Sequence, residues 1–454
     1  MEHPAVDGKR FSVLGAARSG LAVAALLKRH GARVFVSDSA PAERMGEARQ
    51  ELEALGVASE FGTNSELVLE ADTLVLSPGV PSDVSQVRLA LDRGIQVVSE
   101  VEVASWFCRA PVIAVTGTNG KTTTATLTGR IFEDAGERTV VAGNIGTAFS
   151  QIADAVPPQA RVVLEISSFQ LDHCITFKPR VSVLLNITPD HLDRYQHSFE
   201  KYSSAKSRVF GMQAAGDTLI YNADDPETVR QVEERAPASL SLLPFSAVRT
   251  LAAGAFVEQG NLITVLGGMR SEVISTEKIG IRGTHNLYNA MASALSAVSL
   301  GVPAGAVRSS LAAFHGVEHR LEFVRDHDGV HYVNDSKATN VDSVWYALQS
   351  FHEPIILMLG GRDKGNDYGR LKELIQKNVR AIVAIGESAG KVAAAFAGVR
   401  PVHTASSMEE AVRTCAAIAR AGDVVLLSPA CASFDWFENY EHRGRVFKQL
   451  VQAL

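Results

Sequence analysis

The segment Val112-Ile-Ala-Val-Thr-Gly-Thr-Asn-Gly-Lys-Thr-Thr-Thr124 reads as a strand, a Gly-containing loop and the start of a helix. That order aims backbone N–H groups and a helix N-terminus at a phosphate. Lys121 is placed to reach the β- and γ-phosphates as a point charge, and the Thr122 or Thr123 hydroxyl to ligate Mg²⁺. The usual fingerprint has a Gly five positions before Gly120; Val115 stands there and Gly117 lies three before, so the loop is a shortened variant. Glu165 ends the apolar run from Arg161. Open parallel sheets bind ligands beyond the carboxyl ends of their strands, where a carboxylate can hold a metal that bridges nucleotide phosphates. His191, in Asn186-Ile-Thr-Pro-Asp-His-Leu-Asp-Arg194 after the run Val181–Leu185, falls at the same edge as a second candidate ligand. Lys206 lies in the predicted helix Phe199–Phe210 and, taken bare, reads as an exposed helical lysine.

Positioning these groups requires strands that alternate with helices. Short apolar runs recur at Arg10–Leu14, Arg33–Val36 and Thr73–Leu76, then at Pro111–Val115, Arg161–Ile166 and Val181–Leu185. A last set comprises Val330–Val333, Pro354–Leu359, Arg380–Ile385 and Asp423–Leu427. Each set restarts the same rhythm, which predicts parallel sheets with helices on both faces. The expectation is an α/β chain of three domains, 1–99, 100–316 and 317–454, with Rossmann-like outer domains and a central phosphate-loop domain on a parallel sheet. The length of 454 residues suits three domains at roughly 100–200 residues each. A helix is predicted over Asn286–Ser299, on which Asn286 and Asn289 share a face.

Composition narrows the class. Lys plus Arg number 44 against 50 Asp plus Glu, a net charge of −6, which disfavours nucleic acid as the main partner. Cys108, Cys174, Cys415 and Cys431 lie far apart, with no Cys-x-x-Cys pair for zinc or redox work. The longest apolar runs fall well short of the ~20 residues a membrane span needs, and the N-terminus has no secretory apolar stretch. A cytoplasmic enzyme without membrane attachment is expected. Gly15-Ala-Ala-Arg-Ser-Gly20 with Asp38 following the next strand suggests a dinucleotide-binding turn, hence a dehydrogenase. Ala17 occupies the place of the middle glycine, where a Cβ obstructs approach to a pyrophosphate.

Taken together, Gly117-Thr-Asn-Gly-Lys-Thr-Thr123, Glu165-Ile-Ser-Ser-Phe-Gln170, Asn186-Ile-Thr-Pro-Asp-His191, His285-Asn-Leu-Tyr-Asn-Ala290, His319-Arg320 and Asn334-Asp-Ser-Lys-Ala-Thr-Asn340 resemble, in this order, the Mur ligase family. The likeness extends to Leu76-Ser-Pro-Gly-Val-Pro81, Gly143-Asn-Ile-Gly146, Leu427–Phe437 and Arg443-Gly-Arg445, and so runs through nearly the whole chain. It implies ATP-dependent amide-bond formation in peptidoglycan precursor synthesis, by way of an acyl phosphate and a tetrahedral intermediate. The motifs of the last block imply D-glutamate as the amino acid added, to UDP-N-acetylmuramoyl-L-alanine.

By that resemblance Gly117, Thr118, Asn119, Gly120, Lys121, Thr122, Thr123, Asn286, Asn289, Arg320 and Asp335 bind ATP. Thr122, Glu165, His191 and Lys206 hold one or two Mg²⁺, with Lys206 carbamylated by CO₂; Lys121, Lys206 and His191 carry the catalytic roles. Arg18, Ser19, Asp38, Ser39, Asn144 and His191 contact the UDP-linked substrate. Lys337, Thr339, Lys364, Ser433, Phe434 and Tyr440 line the D-glutamate pocket or its approach. The sequence departs from the family at Phe434, for an aliphatic residue, at Tyr440, for Phe, and at Ala40, where some relatives are basic. A monomer is expected, with a hinge near 316 that lets the last domain close on the nucleotide. A sister ligase adding another amino acid and a folylpolyglutamate synthase share the ATP machinery but not Ser428-Pro-Ala-Cys-Ala-Ser433. A phosphate-loop switch without ligase chemistry leaves the D-glutamate residues unexplained.

Overall fold

The computed structural model describes residues 5–351, 353–363 and 365–454. The chain is α/β, built on three sheets. The first is wholly parallel, with strands β1 (Arg10–Leu14), β2 (Arg33–Asp38), β3 (Ala58–Phe61), β4 (Thr73–Leu76) and β5 (Gln96–Ser99) in the order 3-2-1-4-5. The second adds β6 (Val112–Thr116), β7 (Thr139–Gly143), β8 (Arg161–Glu165), β9 (Val181–Leu184), β10 (Thr218–Asn222), β11 (Ser241–Ser246), β12 (Gly254–Glu258), β13 (Asn261–Leu266) and β14 (Met269–Ser275). Their order is 14-13-12-11-10-9-6-8-7. The third comprises β15 (Glu322–His327), β16 (Val330–Asn334), β17 (Ile355–Gly360), β18 (Val379–Ile385), β19 (Val402–Thr404) and β20 (Val424–Leu427), in the order 15-16-20-17-18-19.

Continuous apolar strands mark sheets covered on both faces. Every residue of β4, β6, β8 (after Arg161), β9, β17 and β20 is buried. The expectation of purely parallel sheets is corrected at two edges. β12–β14 pair antiparallel, and so do β15 and β16. The cause is turn chemistry: Gly267-Gly268 joins β13 to β14 and Asp328-Gly329 joins β15 to β16, all four residues at positive φ. Two-residue turns of that kind match the twist of a hairpin.

The chain divides into two compact units, Met1–Lys278 with Tyr288–Leu311, and Ile279–Leu287 with Ala312–Leu454. Within the first, Glu102 is 1% exposed on the helix Glu100–Ser105 that follows β5. Its carboxylate accepts from Trp106 Nε1 at 3.1 Å, from the backbone N–H groups of Ile175, Thr176 and Phe177 at 2.9 Å each, and from the Thr176 hydroxyl. Truncation to Glu102→Ala strands those buried donors, so a loss of about 3 kcal/mol is expected. Thermal unfolding of the variant should shift down by several degrees; an unchanged Tm contradicts the assignment. Among the described residues no helix is long and apolar enough to cross a membrane.

Candidate active site

The phosphate loop leaves the carboxyl end of β6 and enters the helix Lys121–Asp134 through Gly120, at φ +86°. A Cβ at this position would lie 2.3 Å from Asn289 Oδ1, so only glycine admits the asparagine, whose Oδ1 also accepts from Thr124 Oγ1 at 3.1 Å. Asn186, at the end of β9, braces the loop from the other side. Its Oδ1 accepts from Asn119 N (2.8 Å), its Nδ2 donates to Asn119 O (3.1 Å), and its carbonyl accepts from Thr118 N (2.9 Å). Lys121 curls back over this frame, donating to the carbonyls of Gly117 at 2.9 Å and Thr118 at 2.8 Å. Thr122 and Thr123 are both buried in the first turn of the helix.

Lys206 is 2% exposed, which corrects the bare reading of a solvated lysine. It stands on the face of the helix Phe199–Gly211 that also buries Tyr202, Ala205, Val209 and Phe210. Its Nζ donates to Gly117 O at 2.8 Å and lies 4.7 Å from the Tyr202 ring centroid. Burial, with the Lys121 charge as the next cause, holds this amine well below the ordinary lysine range. Glu165, at the end of β8, is also 2% exposed. Its Oε1 accepts from Asn144 Nδ2 at 2.9 Å, while Oε2 is buried with no hydrogen-bond partner among the described residues. A carboxylate oxygen left open in this way suits a hard divalent cation. His191 sits at φ +51° with its ring edge against Phe169, centroids 5.0 Å apart.

A cavity of about 560 Å³ opens in the same unit. Arg18, Ser19, Asp38, Ser39, Asn144 and Gln170 are among the residues that line it. Five of the residues expected to contact the UDP-linked substrate are thus brought together; His191 is not among the lining residues. Asp38 does double duty, since its oxygens accept from the backbone N–H groups of Ala16 (2.7 Å) and Ala40 (2.8 Å). Gln170 was not foreseen. A capping box with Ser167 fixes the short helix that presents it.

The second unit gathers another group. Asp335 is buried after β16 and accepts from Ser428 Oγ at 2.7 Å and Leu321 N at 3.3 Å. Burial pushes its carboxyl up to about 7, against the pull of the Arg320 guanidinium. Arg320 is flanked by His319 and Leu321, both at positive φ, and its Nε is buried with no partner among the described residues. Asn286 Nδ2 donates to Arg282 O at 2.7 Å. Lys337 Nζ lies 5.3 Å from the Tyr440 ring centroid. Ser433 is buried, Thr339 half-buried, and Phe434 60% exposed. Lys364 lies outside the described residues.

Arg443, noted in the sequence only as part of a motif, ties two of these segments. It is 1% exposed and donates to Ser336 Oγ (2.9 Å), Ser336 O (2.7 Å) and Cys431 O (3.1 Å). The loop bearing Lys337 and Thr339 is thereby fixed to the one bearing Ser433 and Phe434.

Comparison with known proteins gives a consistent picture. Residues 9–99 match the Mur ligase MurD-like N-terminal domain, 115–297 the Mur ligase middle domain, and 319–431 the Mur ligase glutamate ligase domain. A protein of Salinibacter ruber named UDP-N-acetylmuramoylalanine–D-glutamate ligase is 50% identical, over 98% of each chain. One of the same name from Chloroherpeton thalassium is 45% identical over the full length of both. Among solved structures, a pseudomurein peptide ligase type C from Methanothermus fervidus superposes with a TM-score of 0.62 at 17% identity, over 98% of this chain and 100% of that one. At that identity the likeness speaks for the fold alone.

Proposed function

The chain belongs to the Mur ligase family, and on that premise we propose that it joins D-glutamate to UDP-N-acetylmuramoyl-L-alanine, converting ATP to ADP and phosphate in peptidoglycan precursor synthesis. The observation that carries this reading is the Asn144–Glu165 hydrogen bond, because it joins the cavity holding Arg18, Ser19, Asp38 and Ser39 to the carboxylate beside the phosphate loop. A UDP-linked substrate lying in that cavity delivers its far end, the alanyl carboxylate, to the place where phosphoryl transfer is prepared. The division into 1–99, 100–316 and 317–454 assigns the nucleotide-linked substrate to the first domain, ATP to the second and the amino acid to the third.

In this mechanism the alanyl carboxylate attacks the γ-phosphate and ADP leaves. The D-glutamate amine then adds to the acyl phosphate, and the tetrahedral intermediate expels phosphate. Such transfers depend on positioning and on positive charge more than on covalent help. Lys121 exchanges the carbonyls of Gly117 and Thr118 for the β/γ-phosphate oxygens, as its reach over the loop allows. Thr122, Glu165 and His191 would hold Mg²⁺, which when bound neutralises charge on the transferring group. The Lys206 amine, buried and held well below the ordinary lysine range by that burial, suits addition to CO₂, giving an N-carboxylate and a proton and so one more oxygen donor. The same reading assigns Arg320, Asp335, Asn286 and Asn289 to ATP binding and takes the protein to act as a cytoplasmic monomer.

Carboxylate labelling tests the mechanism. With ¹⁸O in the alanyl carboxylate, one labelled oxygen is expected in the released phosphate; unlabelled phosphate contradicts an acyl phosphate. Lys364 belongs to the amino-acid pocket in this reading, as a cation for an acidic substrate. Lys364→Ala is expected to raise KM for D-glutamate at least tenfold with KM for ATP nearly unchanged, and the opposite pattern removes it from the pocket.

A further inference from the structure

The loop between β9 and the helix Phe199–Gly211 is unusual in its backbone. His191, Gln196 and His197 all adopt positive φ, at +51°, +56° and +58°. Side chains with a Cβ hold that conformation only where their surroundings fix it. Two anchors are present. The Tyr195 hydroxyl donates to Asp172 Oδ2 at 2.8 Å. Arg194 reaches the other way, with Nη1 donating to Pro78 O at 3.0 Å and Nη2 to Gly79 O at 2.6 Å. Its guanidinium also lies 4.3 Å from the Phe169 ring centroid, the same ring that carries the edge of His191.

Pro78 and Gly79 line the 560 Å³ cavity. One side chain therefore grips the cavity wall with its fork, rests on Phe169 with its face, and belongs to the loop that presents His191. We infer that Arg194 is a positioning residue, which sets the His191 loop in register with the wall of the nucleotide-linked substrate's cavity. The inference rests on the reading of that cavity given under Proposed function. Two donors aimed at successive carbonyls require the planar guanidinium; an ammonium reaches one of them at a time. Arg194 is only half-buried, so its contribution to global stability is small, whereas its contribution to the local geometry is large.

The test uses the full chain and two variants, Arg194→Met, which keeps the apolar stem, and Arg194→Lys, which keeps the charge. Binding of UDP-N-acetylmuramoyl-L-alanine is measured by calorimetry, alongside KM for ATP, kcat and Tm. Arg194→Met is expected to weaken binding of the UDP-linked substrate about tenfold and to lower kcat, with KM for ATP within about twofold of wild type and Tm nearly unchanged. Arg194→Lys is expected to recover part of that loss. Unchanged binding in Arg194→Met, or weakening shared equally with ATP alongside a fall in Tm, overturns the inference. Full recovery in Arg194→Lys overturns the role given to the fork. A wild-type chain that fails to bind the UDP-linked substrate instead overturns the reading of the cavity.

Discussion

Replacing Lys121 by Ala is expected to abolish ligation while leaving the fold intact. The ammonium is the one side-chain cation that the phosphate loop itself supplies, and it already lies over the loop, on the carbonyls of Gly117 and Thr118. Removing charge stabilisation at a transferring phosphoryl group typically slows reaction on the order of 10³-fold or more. The structural cost is small, because Lys121 is only half-buried and the loop keeps its brace from Asn186 and Asn289. A Tm within about 2 °C of wild type, with turnover below detection, is the expected pair of results. Near-normal ligation by a folded Lys121→Ala variant contradicts the phosphate-loop assignment.

Lys206→Ala is expected to lose activity by a similar factor and, unlike Lys121→Ala, to regain part of it when short carboxylates such as formate or acetate are added. The substitution leaves a small space beneath Tyr202 and beside Gly117 O, lined by a helix that otherwise packs tightly. A free carboxylate entering that space replaces the negative oxygens that an N-carboxylated lysine provides, whereas it cannot replace an ammonium. The direction of rescue therefore reports the charge the native side chain carries in turnover. Rescue by small amines, or none by carboxylates, contradicts the carbamate and leaves the ligase reaction standing.

The parallel strands were legible because continuous apolar runs such as Pro354–Leu359, buried from Ile355 on, have no other use in a chain of this composition. The phosphate loop was legible because its residues are contiguous. What escaped was of two kinds. The antiparallel edges were signalled by Gly267-Gly268 and Asp328-Gly329, but a strand–helix rhythm carried through the chain hides two-residue turns. Buried charges were the other kind. Lys206 lies four residues from both Tyr202 and Phe210, and Arg443 four from Phe447 and eight from Val451, all of them buried. A cation on the apolar stripe of a helix was the available signal in both cases. Read as one more charge on a solvated helix, it disappears. Nothing local foretold that Arg443 joins Ser336 to Cys431, since those partners lie 107 and 12 residues away.

The most direct measurement is ATP-dependent phosphate release with UDP-N-acetylmuramoyl-L-alanine, in parallel with D-glutamate, L-glutamate, L-alanine and a diamino acid. Release with D-glutamate alone is the expected result and joins the phosphate loop, the cavity and the second unit's polar cluster in one reaction. Release with a different amino acid contradicts the specificity assigned to the residues around Ser433 and Lys337, and silence with every one of them contradicts the ligase itself.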